Sequence, residues 1–285
     1  MPREEIVPPD SSVYSALAAL VWRRIVLFAG LPGVGKSLLL KQLVLLAGEA
    51  GRDVHLFQWD VTRGAFESPD LLARYPETGG VTHAAIRKGV GLWARGAVAA
   101  WHLRQADDAI LIGETPLIGN RLVELAQVRA DEAEPLLAGE ETLVVVVVPS
   151  RRIRSEIEDV RAGTIASPRH EREAADAPPG VIQMLSRELH RLGETLGLAQ
   201  AAVGGEAPYT PEVYAGVYRH LLRHRNVEIL EVDELFQAKG SVYDLTGIAG
   251  ELVASPQEVA DTLAHLERNY TPEEVEREVE NWFEI

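Results

Sequence analysis

Residues 30–37 have the types and the spacing of a loop that binds phosphate groups. They read Gly-Leu-Pro-Gly-Val-Gly-Lys-Ser and fit the pattern G-x-x-x-x-G-K-[ST]. Glycines let such a loop turn tightly with its backbone N–H groups pointing inward. These donors bind an anion together with the N-terminus of the following helix. We expect Lys36 to reach the outer phosphates of ATP and the Ser37 hydroxyl to bind Mg²⁺.

The chain on either side of this loop has the strand and the helix that the motif requires. Residues 24–29 are a short apolar run suited to a buried strand, and residues 38–47 suit a helix packed on a sheet. A chance match to the pattern is the alternative, and the correct flanks make it rarer. The residues expected to contact the nucleotide are Gly30, Pro32, Gly33, Val34, Gly35, Lys36, Ser37 and Leu38.

Residues 110–114 are a second candidate part of the site. Their sequence, Ile-Leu-Ile-Gly-Glu, is an apolar run that ends in a carboxylate. Ligands of open α/β sheets bind beyond the carboxyl ends of the strands, so we expect Glu114 beside the phosphate loop. There it would hold Mg²⁺, usually through water, or orient a nucleophile in catalysis. The alternative is an ordinary strand end, where acids are common.

Asp60 ends a predicted second strand, residues 53–60, and is a candidate general base. A carboxylate at this place would accept the proton of a substrate hydroxyl that attacks the terminal phosphate. Arg63, three residues later, would hold an anionic group of the same substrate. The alternative is a capped turn that follows a strand.

Arg154 and Arg161 follow the fourth predicted strand and are candidate catalytic cations. They are seven residues apart, so they share one face of a helix. Arginines on a closing loop stabilise a moving phosphate without binding it in the open state. The alternative is a solvated helix with ion pairs between its own residues.

A predicted helix over residues 81–105 carries further basic residues. His83 and Arg87 are four residues apart and therefore lie on one side of the helix. A basic stripe that faces the site would suit a phosphorylated or carboxylated substrate, and Arg87 is the candidate for binding it. A plain amphipathic helix is the alternative.

Strands alternate with helices along most of the chain, which predicts a parallel α/β sheet with right-handed crossovers. Residues 142–148 are apolar at every position, as expected for a central strand covered on both faces. The chain divides into an N-terminal helix packed on the core (1–23), a nucleotide-binding domain (24–254) and acidic C-terminal helices (255–285). Further strands are predicted at residues 109–114 and 226–232, and helices at 117–128, 151–161, 181–198 and 208–225.

The composition limits the classes of function. The chain has 285 residues and a formal net charge of -15, so its surface repels nucleic acid unless a local basic patch exists. It contains no cysteine, which excludes disulfides, cysteine-ligated zinc and thiol chemistry. It has no stretch of 18 apolar residues and no signal peptide, so we expect a cytoplasmic protein without a membrane partner. A homodimer stays open.

The chain resembles the P-loop kinases that phosphorylate nucleotides and other small metabolites. The resemblance is specific at residues 30–37 and looser at residues 110–116, which are similar to the strand and Gly-x-Pro segment of adenylate kinase-like enzymes. In those enzymes the acid precedes the glycine, whereas Glu114 follows Gly113. The fourth strand and the arginine helix are also similar, with a lid around residues 150–180. The resemblance implies the three-layer α/β/α P-loop NTPase fold with added helices, five parallel strands in the order 2-3-1-4-5, and Mg-ATP as phosphoryl donor.

Three functions are consistent with these patterns. The leading hypothesis is an ATP-dependent kinase that transfers the γ-phosphoryl group to an unidentified small molecule or nucleotide. The alternative is an ATP-hydrolysing switch whose acidic C-terminal helices bind partner proteins. The third is a nucleotide-binding regulator without turnover. The Asn-Lys-x-Asp motif of GTPases is absent from the sequence, which favours ATP over GTP.

Overall fold

The computed structural model describes residues 6–166, 170, 179–200, 209–236 and 238–284. Its strands are β1 (Ile25–Ala29), β2 (Asp53–Gln58), β3 (Ala109–Thr115), β4 (Thr142–Pro149), β5 (Val227–Val232) and β6 (Ile248–Glu251). Its helices are α1 (Ser12–Leu20), α2 (Lys36–Glu49), α3 (Trp59–Ala65), α4 (Pro69–Arg74), α5 (Ala84–Arg104), α6 (Glu134–Ala138), α7 (Arg151–Ala166), α8 (Pro179–Thr195), α9 (Pro211–Leu221), α10 (Pro256–Asn269) and α11 (Pro272–Glu280).

The predicted lid around residues 150–180 is described only in part. α7 and the start of α8 fall within it, and the chain between these helices, apart from residue 170, lies outside the described residues. In the part of the chain that the structure describes, no helix is both long and apolar enough to cross a bilayer.

The described residues contain one sheet of six parallel strands in the order β5-β4-β1-β3-β2-β6. The predicted order of the first five strands is confirmed. The predicted number of strands is wrong, because β6 extends the sheet at the edge beside β2. β6 reads Ile-Ala-Gly-Glu, which is too short and too poor in β-branched residues to be recognised as a strand. Its conformation is fixed by pairing with β2.

The central strands lie in the hydrophobic core. β1, β3 and β4 are buried at every residue, which explains their continuous apolar sequences. The chain moves outward from β1 to β2 and then back to β3, so right-handed crossovers place α2 and α5 on opposite faces of the sheet. The protein is therefore an α/β protein with a parallel sheet, and its layout is compatible with the predicted three layers.

The second strand is shorter than predicted. β2 ends at Gln58, and Asp60 lies in the first turn of α3. The carboxylate still follows the carboxyl end of a strand, because α3 begins directly where β2 stops.

The helix predicted over residues 117–128 is wrong. The structure has a loop there, followed by one short 3-10 turn at Val123–Leu125. Leu117 and Leu122 have φ angles of 60° and 64°, in a region that a right-handed helix excludes. The apolar residues whose spacing suggests a helix are buried in the core as an irregular segment.

The two C-terminal helices pack against α5. Ser255 and Thr271 start them, each with a complete capping box, as the sequence predicts. Trp282 follows α11, is 2% exposed, and donates a hydrogen bond from Nε1 to Glu188 Oε1 of α8 at 2.7 Å. The C-terminal segment therefore joins the core to the helix that follows the predicted lid.

Candidate active site

The glycine loop, residues 30–37, joins β1 to α2 at the carboxyl edge of the sheet. Gly33 and Gly35 have φ angles of 75° and 92°, which only glycine adopts without strain. Gly35 is the N-cap of α2, so the helix begins at Lys36. The free N–H groups of the first turn and the positive end of the helix dipole make this backbone suited to anion binding.

Lys36 is folded back onto the glycine loop. The residue is 8% exposed, and its Nζ donates a hydrogen bond to the carbonyl oxygen of Leu31 at 3.0 Å. A phosphate in the loop would accept a charge-assisted hydrogen bond, which is stronger than one to a neutral carbonyl. Lys36 is therefore placed to exchange its backbone acceptor for an anionic ligand.

Ser37 and Glu114 meet beside the glycine loop. Ser37 Oγ donates a hydrogen bond to Glu114 Oε2 at 2.8 Å. β3 lies next to β1 with Glu114 in register with Phe28, and this pairing brings the carboxylate to the start of α2. Mg²⁺ bound to phosphates takes only one or two carboxylates from a protein, so the pair suits Mg²⁺. Among the described residues, no group of three or more acidic or histidine side chains is placed to hold a metal ion by itself.

α9 braces the glycine loop. Tyr214 is 1% exposed, and its Oη accepts the N–H of Leu31 at 2.9 Å. Tyr218, one turn later, donates from Oη to the carbonyl oxygen of Pro116 at 2.8 Å. Burial raises the pKa of Tyr214 to about 12, so its hydroxyl is neutral at physiological pH. α9 therefore ties the chain after β1 to the chain after β3.

A cleft of about 460 Å³ opens in front of the glycine loop. All the residues predicted to contact a nucleotide line it except Gly30, where a Cβ would lie 2.7 Å from Tyr214 Oη. We call the lining residues that follow β4 and β5 in the chain its β5 side: Ile157, Val160, Val181, Leu185, Leu235, Phe236, Val242 and Tyr243. The lining residues that follow β2 and β3 in the chain are its β2 side: Trp59, Asp60, Arg63, Thr82 and Arg121.

Asp60 and Arg63 lie together on the β2 side. The Asp60 side chain is 62% exposed, and its Oδ1 is 3.9 Å from Arg63 Nη2. Arg63 Nη1 donates to Thr82 Oγ1 at 3.3 Å and lies 3.3 Å from Glu67 Oε1. Burial raises the pKa of Glu67, and the charge of Arg63 partly offsets this effect. The structure thus brings the predicted base and the predicted anion-binding arginine into one cleft.

Three other predicted site residues are not among the described residues that line the cleft. Arg87 donates from Nη1 to the carbonyl oxygen of Gly119 at 2.8 Å. Arg154 is 3% exposed, and its guanidinium carbon lies 5.7 Å from the centre of the Tyr209 ring. Arg161 belongs to α7, and its side chain is outside the described part of the structure.

Two parts of the cleft are not predicted by the sequence patterns above. Arg121 lies in the loop that replaces the predicted helix. The adjacent Gly119 and Asn120 favour a turn, but the spacing of the apolar residues around them led to the prediction of a helix. The second part follows β5 in the chain and consists of Leu235, Phe236, Ala238, Gly240, Val242 and Tyr243. Its apolar residues have neither helical nor strand spacing, so no local pattern distinguishes them.

The fold and the cleft define a structural class, an α/β protein with a parallel sheet and a glycine-loop cleft at its carboxyl edge. No protein-family model matches the chain, and no curated protein has a significantly similar sequence. The function is therefore inferred from the cleft itself.

Proposed function

We propose that the protein is an ATP-dependent kinase of P-loop type that transfers the γ-phosphoryl group to a small molecule. The observation that carries this proposal is the meeting of Ser37 Oγ and Glu114 Oε2, 2.8 Å apart, at the start of α2 beside Lys36. A glycine loop, a lysine and a hydroxyl–carboxylate pair are the groups that phosphoryl transfer uses around the β- and γ-phosphates.

ATP is proposed to lie on the glycine loop with its base toward the β5 side. Phe236 and Tyr243 line that side and offer aromatic surface to a purine. Lys36 would leave the Leu31 carbonyl and bind the phosphates. Ser37 and Glu114 would hold Mg²⁺, whose charge offsets that of the phosphates during transfer.

The acceptor is proposed to occupy the β2 side of the cleft. Its hydroxyl oxygen forms a bond to the γ-phosphorus while the bond from that phosphorus to the β–γ bridging oxygen breaks, and ADP leaves. Asp60 accepts the hydroxyl proton as general base, and Arg63 binds an anionic group of the acceptor. Arg154 is not among the described residues that line the cleft and has no role in this scheme. The predicted role of Arg161 stays a prediction, because its side chain lies outside the described part of the structure.

The residues that line the cleft favour transfer to an acceptor over hydrolysis. Asp60 and Arg63 line it together with the glycine loop, and an enzyme that only hydrolyses ATP needs no arginine to bind an acceptor. The test is incubation of the protein with γ-labelled ATP, Mg²⁺ and a pool of small metabolites, with separation of labelled products. We expect the label in an organic product; a label found only in free phosphate would instead support the ATP-hydrolysing alternative.

Tyr214→Phe is expected to weaken the binding of Mg-ATP by at least about fivefold. The substitution removes the acceptor of the buried Leu31 N–H, and an unpaired buried donor costs about 1–3 kcal/mol. Titration calorimetry measures the affinity. Tyr209→Phe is the matched control, because Tyr209 Oη donates to the carbonyl oxygen of Pro149 rather than bonding to the glycine loop. Equal affinities of the two variants would contradict a positioning role for Tyr214.

A further inference from the structure

The loop that contains Arg121 has a strained backbone conformation. Leu117, Asn120 and Leu122 have φ angles of 60°, 53° and 64°, and Gly119 has a φ angle of 68°. Residues other than glycine rarely adopt this region, and they keep it only where the surrounding structure imposes it. Such strain is concentrated at binding and catalytic sites. The strained loop is therefore a candidate part of a binding site.

Arg121 and Arg87 both bind carbonyl groups of this loop. Arg121 Nη1 donates to the carbonyl oxygen of Ile118 at 3.1 Å, and Arg87 Nη1 donates to that of Gly119 at 2.8 Å. Neither guanidinium forms an ion pair with a carboxylate in the described part of the chain. The Nε of Arg87 is buried and has no hydrogen-bond partner among the described residues. Both cations are therefore incompletely neutralised.

Three buried cations elsewhere in the described part of the chain are neutralised by carboxylates. Lys88 Nζ lies 2.7 Å from Glu278 Oε2 and 3.3 Å from Glu124 Oε1, with Lys88 and Glu124 fully buried. The other pairs are Arg95 with Asp131 at 2.6 Å and Arg225 with Glu134 at 2.8 Å. Buried Arg24 and Lys41 instead donate to backbone carbonyl groups, as Arg121 does. Arg121 differs from these two in that it lines the cleft, where a ligand can reach it.

The electrostatic surroundings of Arg121 favour an added anion. Burial, together with the positive charges of Arg87 and Arg63, lowers the pKa of Arg121 to about 10, against the opposing charges of Glu188 and Asp60. Burial also lowers the pKa of Arg87. A guanidinium with a lowered pKa is still charged at neutral pH, and its charge is destabilised in the folded state. An oxyanion bound to Arg121 would remove this penalty.

We propose that Arg121 binds an oxyanion, a phosphate or a carboxylate, on the acceptor of the reaction, and that Arg87 holds the loop that presents it. Identification of the ligand as the acceptor rests on the proposed kinase function; the anion subsite itself rests on the unpaired arginine and the strained loop. Arg63, on the same side of the cleft, is already surrounded by Asp60 and Glu67. Arg121 is therefore the principal anion-binding group.

The test uses the full chain saturated with Mg²⁺ and a non-hydrolysable ATP analogue, so that the glycine loop is filled. Inorganic phosphate and malonate are titrated separately into the wild type, Arg121→Gln and Arg104→Gln by calorimetry. Arg104 is exposed and donates from Nε to the carbonyl oxygen of Ala100 in its own helix. Arg104→Gln therefore removes the same charge as Arg121→Gln at a position that is not among the described residues lining the cleft. We expect the wild type and Arg104→Gln to bind at least one probe, and Arg121→Gln to bind it at least about tenfold more weakly. The probe that binds more tightly identifies the oxyanion.

Equal binding of the probes by Arg121→Gln and Arg104→Gln would overturn the proposal, and so would the absence of binding by the wild type. If the ATP analogue does not bind, the kinase function fails separately. The same titrations of the nucleotide-free proteins then decide the anion subsite, because dependence on Arg121 supports it and independence overturns it.

A second variant separates the charge from the loop that positions it. A Cβ at Gly119 would contact Arg121 Nη1, so Gly119→Ala displaces this arginine and retains its charge. We expect Gly119→Ala to weaken binding of the probe as Arg121→Gln does. Gly51→Ala is the control, because Gly51 also has a positive φ, 75°, and no atom lies within 4 Å of its Cβ position. Full binding by Gly119→Ala would contradict the role of the loop.

Discussion

Replacing Lys36 with alanine is expected to lower the rate of phosphoryl transfer by about 10²- to 10³-fold, the usual cost of removing a group that stabilises charge in a transition state. Lys36 is the first residue of α2, and its Nζ lies 3.0 Å from the Leu31 carbonyl oxygen at the glycine loop. The variant would lose the positive charge that is proposed to stabilise the negative charge of the transferred phosphoryl group. Initial rates with labelled ATP measure the effect, and titration calorimetry measures the accompanying loss of affinity.

The control for this variant is Arg104→Ala, which removes a positive charge from an exposed position that is not among the described residues lining the cleft. Circular dichroism and the midpoint of thermal unfolding without nucleotide check that each variant is folded. A folded Lys36→Ala protein with wild-type affinity for Mg-ATP and wild-type rate would exclude the glycine loop as the phosphate site. The kinase proposal would then have no basis.

Glu114→Gln is expected to lower the rate by about 10²-fold or more at low Mg²⁺ concentration, with partial recovery as Mg²⁺ is raised. The amide has the size of the carboxylate and can still accept the hydrogen bond that Ser37 Oγ donates at 2.8 Å. It lacks the negative charge that binds Mg²⁺. Rates measured over a series of Mg²⁺ concentrations separate a loss of metal affinity from a loss of structure.

Asp107→Asn is the matched control for Glu114→Gln. Asp107 is exposed and lies before the start of β3, at the end of the strand opposite to Glu114. The same change of charge there is expected to leave the rate and the Mg²⁺ dependence unchanged. If Glu114→Gln kept the wild-type Mg²⁺ dependence, Glu114 would not be a metal ligand. Its contact with Ser37 would then serve only to order the start of α2.

Strands in which every residue is buried could be predicted from the sequence, and so could helices with a capping residue at the start. β1, β3 and β4 are buried at every residue, and a strand covered on both faces must be apolar throughout. Residues that satisfy the N–H groups of the first helical turn mark helix starts locally, which is why Ser255 and Thr271 predict α10 and α11.

The elements that could not be predicted depend on contacts between distant parts of the chain. β6 is a strand because it pairs with β2, nearly 200 residues earlier in the chain. The loop after β3 has left-handed leucines because its flanks are fixed, with Thr115 Oγ1 donating to the carbonyl oxygen of Arg121 at 3.1 Å. Leucine disfavours left-handed φ angles, so the two leucines do not predict this loop. The spacing of its apolar residues predicts a helix instead.

The sequence by itself predicts phosphate binding by the glycine loop, because glycine, lysine and serine at fixed spacing lie within one short stretch of backbone. It also determined the alternation of strands and helices, whereas the order of the first five strands was predicted from the resemblance to P-loop kinases. The tertiary structure decided which side chains share the cleft. It brought Glu114 to Ser37, left Arg87 at the carbonyl of a strained loop, and added Arg121 to the cleft lining. The physical reason is that each of these contacts joins different elements, so its geometry is set by the packing of the sheet and helices and not by neighbouring residues.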